Sequence, residues 1–145
     1  MLEGRVLGLF ISGKEKSGRV EKEQLTLDTN GVIGDKFYAK NIDRTILITS
    51  KYSYDLAKEK ATEIPYGYLG ENILIDINPY GLSSGDKIDI GNISLEITEN
   101  CTICNSLGKV DSSLPELLAN DRGIFAKTIK SGNIRKGDIV KISKY

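Results

Sequence analysis

The chain contains no histidine. That removes the commonest general base near neutral pH, and with it any Ser-His-Asp triad, Cys-His dyad or histidine-based zinc site. Tryptophan is also absent, and the seven tyrosines and three phenylalanines are scattered. No aromatic platform for stacking bases can be read from them. An excess of one charge is missing as well: Lys+Arg and Asp+Glu both number 20. Zero net charge gives no electrostatic footprint for nucleic acid or a membrane surface, and neither is expected as a partner. No apolar run reaches the roughly 18 residues that span a bilayer. The opening Met1-Leu2-Glu3-Gly4-Arg5 lacks the regions of a secretory signal, so a cytoplasmic location is expected. There the two cysteines read as thiols, since a disulfide closing so short a loop would constrain the unfolded chain little.

What remains is ordinary: 145 residues, 39% apolar and 28% charged. This suits a single domain, 1–145, with a real core. Ile88, Ile90, Ile93, Leu95 and Ile97 alternate with Lys87, Asp89, Ser94 and Glu96, and the phase breaks at Gly91-Asn92. That pattern predicts a hairpin. Residues 45–49 form a β-branched, nearly continuous apolar run, which predicts a buried strand. Val140 and Ile142 repeat the alternation, and residues 5–11, 24–27, 72–77 and 124–129 are weaker strand candidates.

Two segments have helical spacing. Tyr54, Leu56, Ala57 and Ala61 can share a face over residues 50–61. Leu114, Leu117 and Leu118 follow a Ser113-x-x-Glu116 capping box. Many short strands with two short helices predict a mainly β fold, a barrel with helical inserts. Gly85-Asp86 and Gly137-Asp138 each precede an alternating strand, an echo that shared turn chemistry explains without duplication.

The chemically special feature is Cys101-x-x-Cys104, at the exit of the strand that ends near Thr98. A thiol there is open to a substrate, and Lys109 or an arginine can lower its pKa toward the reactive thiolate. The alternative is two small buried apolar residues. Zinc is disfavoured by having only two soft ligands, and a thioredoxin-type pair by the lack of a βαβ context. Gly31-Val32-Ile33-Gly34-Asp35 suits a turn with unusual backbone angles, able to present N–H groups to an anion or simply to connect strands. Glu71 and Asn72 open a strand candidate. Spacing alone places them at a turn or sheet edge, although an acid and a bidentate amide can also serve a site. Arg44 and Arg122 each open a strand candidate and offer a phosphate fork.

Taken in order, Gly31-x-x-Gly34-Asp35, Arg44, Gly70-Glu71-Asn72, Leu82-x-x-Gly85-Asp86, Leu95-Glu96-Ile97-Thr98, Cys104-x-x-Leu107, Arg122-Gly123-Ile124-Phe125 and Gly132-x-Ile134-x-x-Gly137-Asp138 resemble the MOSC domain, the C-terminal domain of molybdenum-cofactor sulfurases. The resemblance implies a closed β-barrel similar to the barrel domain of pyruvate kinase. It implies that Cys104 carries sulfur as a persulfide or ligates molybdenum, with Cys101 as an accessory. It also nominates Arg44, Asn72 and Arg122 to hold the phosphate and pterin of a molybdenum cofactor (molybdopterin), with Glu71 and Lys109 nearby in role.

Three departures stand out. Lys36-Phe37-Tyr38 follows Asp35 where many members carry a histidine. Ile103 stands where a proline is usual. The extensions of larger members, including the region that binds pyridoxal phosphate, are not found. No pyridoxal phosphate is therefore expected in this chain alone, and a cysteine desulfurase or a molybdoenzyme becomes the expected partner. The activities implied are sulfur transfer, a molybdenum-dependent reduction of N-hydroxylated compounds, or non-enzymatic sulfur delivery.

Overall fold

Period-two alternation turns one face of most strands inward, and the pairing closes that face into a tube. The computed structural model describes residues 2–12, 20–60, 63–100 and 122–143. The strands are β1 (Leu2–Ile11), β2 (Val20–Lys22), β3 (Gln24–Asp28), β4 (Gly31–Val32), β5 (Ile46–Ser50), β6 (Ile73–Ile75), β7 (Lys87–Ile90), β8 (Ile93–Asn100), β9 (Ile124–Lys130), β10 (Gly132–Arg135) and β11 (Ile139–Ile142). A helix, α1 (Lys51–Lys60), and a 3-10 turn, Ile42–Arg44, complete the described elements.

The order β11-β7-β8-β9-β5-β6-β1 is closed by pairing of β1 with β11, giving a seven-stranded barrel, and β2 hangs on β1. Neighbours in the barrel are antiparallel except β5 and β6, which run parallel. A parallel pair needs a crossover, and α1 with the loop after it supplies one. The second sheet, β10-β3-β4, adds Leu25, Leu27, Val32 and Ile134 to the barrel's interior cluster.

The hairpin forms as expected, with Ile90 opposite Ile93 and only Gly91-Asn92 between the strands. The apolar run at 45–49 becomes β5, buried on both faces. Its inner face carries Ile46 and Ile48 into the barrel. A second apolar cluster, Phe10, Tyr54, Ala57, Ile64, Leu69 and Leu74, joins α1 and the loop after it to β1 and β6. Helix α1 starts where expected because the Ser50 hydroxyl accepts from Tyr52 N at 3.1 Å, an N-cap. The second helix candidate lies outside the described residues, as does Ala61. Strands β2, β4 and β10 have no counterpart in the expectations. They are two to four residues long, and β2 is exposed throughout, so no periodicity marks them.

The Gly-Asp echo is turn chemistry. Asp86 Oδ2 accepts from Ser83 N at 2.7 Å, and Asp138 Oδ2 from Arg135 N at 2.8 Å, the same reach of three residues. The strands that follow, β7 and β11, then pair with each other.

Ala39 is the described non-glycine residue with left-handed backbone, at φ 61°. Its amide donates to Asn30 O at 2.8 Å, which holds it there. A Cβ in this region costs about 1–2 kcal/mol, partly offset by the extra unfolded-state entropy of glycine. Ala39→Gly is expected to stabilise the chain by about 0.5–1 kcal/mol in urea unfolding. An unchanged or lower midpoint would contradict the assigned backbone.

Candidate functional site

Four consecutive residues, Leu69-Gly70-Glu71-Asn72, lead into β6, contain two of the expected site residues, Glu71 and Asn72, and are joined by a third, Arg122. Asn72 is buried, at 3% exposure. Its backbone N donates to Leu47 O on β5, and its O accepts from Phe10 N on β1, at 2.9 and 2.8 Å. The side chain repeats the bridge: Oδ1 accepts from Leu47 N at 3.1 Å, while Nδ2 donates to Phe10 O at 3.2 Å. Nδ2 also donates to Asp35 Oδ1 at 3.3 Å. The amide has two hydrogens and both are used. Asn72 therefore builds the wall of the barrel, and its amide is committed to protein partners.

Asp35 reaches this point from the turn after β4. Its Oδ1 also accepts from Ser12 N at 2.7 Å, just past β1, and its Oδ2 from Phe37 N at 3.1 Å. A carboxylate at 4% exposure needs such donors, because burying a charge without them is costly. The Gly31–Asp35 motif thus ends in a carboxylate that collects N–H groups.

Glu71 is fully buried, which corrects the expectation of a turn or edge residue. Burial is possible because its Oε2 accepts from Tyr54 OH at 2.5 Å and from Gly67 N at 3.1 Å. Burial and the neighbouring Glu71 carboxylate push the Tyr54 phenol far above its ordinary range, so it remains a donor. The same oxygen accepts from Gly67 N at 2.9 Å and Leu69 N at 3.3 Å. Tyr54 was legible only as a core residue of α1. Its spacing gives no hint of a polar partner.

Arg122 meets the tetrapeptide at its first residue. Nε and Nη2 donate to Leu69 O at 3.1 and 2.9 Å. Its carbonyl accepts from Thr49 Oγ1 at 2.9 Å. The next residue, Gly123, lies so close to β5 that a Cβ would meet Leu47 Cδ1 and Thr49 Oγ1 at 2.9 Å.

Arg44 is not part of this group. It ends the 3-10 turn rather than opening β5, ion-pairs through Nε with Glu99, and lies 5.2 Å above the Phe125 ring. Its side chain is 53% exposed. Cys101, Cys104 and Lys109 lie outside the described residues.

Among the described residues no group of three or more His, Cys, Asp or Glu side chains is placed to hold a metal. A cavity of about 690 Å³ is lined by Arg5, Asp89, Ser94, Lys130, Asp138 and Lys141. It contains none of the expected site residues. Its charges are mixed, with Lys141 opposite Asp89 across the β11–β7 pair.

The different commitments of Asn72 and Arg44 can be measured. Asn72→Ala strands Leu47 N, Phe10 O and one Asp35 bond and is expected to cost about 2–4 kcal/mol in chemical denaturation. Arg44→Ala breaks a half-exposed pair and is expected to cost less than about 1 kcal/mol. Equal losses would mean that Asn72 does not carry the wall.

Several solved structures share this architecture. The YuaD protein from Bacillus subtilis superposes with a TM-score of 0.88 at 18% identity, covering 99% of this chain and 97% of that one. YiiM from Geobacillus stearothermophilus gives 0.77 at 13% identity, over 97% of this chain and 75% of that one. YiiM from Escherichia coli gives 0.69 at 17% identity, over 97% and 70%. At these identities the likeness concerns the fold. No curated protein matches the chain. The MOSC domain matches residues 29–141. That stretch runs from the turn before β4 into β11 and takes in Asp35, Glu71, Asn72 and Arg122. On that match, supported by the barrel that carries it, the chain belongs to the MOSC domain family.

Proposed function

We propose that this MOSC domain carries sulfur on Cys104 in molybdenum-cofactor chemistry. One observation carries the reading: the family match takes in Cys104 together with the residues gathered around Leu69–Asn72. The chain geometry is consistent with it. Asn100, the last residue of β8, pairs with Ile124, the first of β9, so the segment bearing Cys104 leaves and re-enters the barrel at one place. Arg122, at the re-entry, is joined to Leu69.

The residues proposed for the site fit a molybdenum cofactor only in part. Arg122 has the planar fork that suits a phosphate, and a soft thiolate at Cys104 suits molybdenum. When bound, the group would supply the metal centre that receives or holds sulfur. Asn72 has both amide hydrogens committed to protein acceptors, and Arg44 already faces the Glu99 carboxylate. These commitments favour sulfur handling at Cys104 over reduction of N-hydroxylated compounds as the use of a bound cofactor.

The chain's own chemistry is a thiolate exchange. Cys104 Sγ attacks the terminal sulfur of a donor persulfide, the donor's S–S bond breaks, and the donor leaves as a thiolate. Cys104 then holds the new S–S bond, and no net electrons are consumed. The donor class is a cysteine desulfurase persulfide, and the acceptor is a molybdenum centre. With no histidine in the chain, the thiolate must be favoured by cations or N–H groups. Lys109, five positions on, is the nearest cation in sequence.

The test is sulfane sulfur, molybdenum and pterin content after expression in the native host and incubation with a desulfurase and cysteine. Wild type is expected to carry about one labile sulfur per chain, Cys101→Ser to keep it, and Cys104→Ser to fall to background. If Cys104→Ser retained as much labile sulfur and pterin as wild type, the reading would be wrong.

A further inference from the structure

Tyr54 is 4% exposed and packs among Phe10, Ala57, Ile64, Leu69 and Leu74. Phenylalanine would fill that layer equally well, so the hydroxyl needs its own explanation. A phenol oxygen offers one donor and acceptor capacity beside it. Here it donates to Glu71 Oε2 and accepts from Gly67 N and Leu69 N. All three partners belong to the loop that leads into β6. The ring is also held edge-on by Tyr66, with centroids 5.0 Å apart.

Leu69 is then held from both sides. Its N–H goes to Tyr54, and its carbonyl takes two donors from Arg122 at 3.1 and 2.9 Å. Gly70 N donates to Gly67 O at 3.0 Å and closes the turn between them. The direction of the Leu69 carbonyl therefore depends on the loop that Tyr54 pins. That carbonyl helps to fix the plane of the guanidinium in turn, because two N–H groups share it.

We infer that Tyr54 is a positioning residue: through its hydroxyl, Glu71 and the Leu69 carbonyl, it aims the Arg122 guanidinium of the proposed site. The inference rests on that functional reading only where it says what the aimed arginine serves. The geometric part stands apart from it.

Tyr54→Phe removes one oxygen and keeps the ring. Hydrogen exchange of the Arg122 Nε–H, followed by NMR in the ligand-free chain, reads the geometry directly. It is expected to speed up by about fivefold or more, the loss of roughly one hydrogen bond's protection. Unchanged Nε–H exchange in a folded Tyr54→Phe chain would overturn the inference. If Tyr54→Phe does not fold, Tyr54→Phe with Glu71→Gln removes the charge that the lost hydroxyl strands, and the same faster exchange is expected. Unchanged exchange in that pair would overturn the inference equally.

The second arm reads retained pterin in chains expressed in the native host. Arg122→Ala and Tyr54→Phe are each expected to lower it, and the double variant to match Arg122→Ala. Independent, multiplicative losses would show that Tyr54 does not act through Arg122. Faster Nε–H exchange with pterin unaffected by Arg122→Ala would uphold the positioning and remove the proposed use of the arginine.

Discussion

Asn72 stands where β6 has not yet begun to separate β1 from β5. There Leu47 of β5 and Phe10 of β1 are joined only through the residue between them. A backbone alone offers one donor and one acceptor per residue. Asn72 offers those and then repeats them with its amide, so that Leu47 and Phe10 are each held twice. The third side-chain bond draws in Asp35 and fixes the turn after β4 to the same seam. The seam between β1 and β5 and its tie to the Asp35 turn both run through this one side chain. The residue types follow. An amide is neutral and bifunctional, and so can be buried at modest cost. A carboxylate in its place would repel Asp35, and a hydroxyl is too short to span both strands.

The same economy governs the residues on either side. Glu71 needs donors in the interior, and α1 supplies one from Tyr54 while the loop supplies Gly67 N. Those bonds fold residues 65–70 back onto the helix, which leaves the Leu69 carbonyl facing Arg122. Architecture and candidate site are therefore one hydrogen-bonded system running from α1 through the tetrapeptide to the start of β9. Arg44 belongs to a different one. Its guanidinium is stacked on Phe125 and paired with Glu99, and that contact steadies the outer face of β8 and β9.

Much of this was legible in the sequence, and the limits have physical causes. The β7–β8 hairpin was legible because Gly91-Asn92 breaks a strict alternation. Strand β5 was legible because a strand covered on both faces reads as continuous apolar sequence. Strand β2 was not: Val20-Glu21-Lys22 buries nothing, so its pairing with β1 leaves no pattern. Glu71 and Asn72 were expected at an edge because polar side chains usually sit in water. Only the contact between distant segments, 54 with 71 and 35 with 72, reveals the partners they find inside. Motif order along the chain brought these residues together as a family signature, without giving the reason that links them.

The scaffold also constrains where chemistry can occur. A group that is buried and fully hydrogen-bonded is stable because it has exchanged water for fixed partners, and turning it toward a ligand would undo that exchange. Asn72 is in this position, and Asp35 and Glu71 are held by several donors each. Arg122 is held differently. Two of its N–H groups are taken by the Leu69 carbonyl, which orients the guanidinium, whereas Arg44 is half-exposed and ion-paired with Glu99. A planar fork aimed by fixed partners suits recognition of an anion. That contrast, more than proximity, makes Arg122 the arginine to associate with the proposed sulfur chemistry of Cys104.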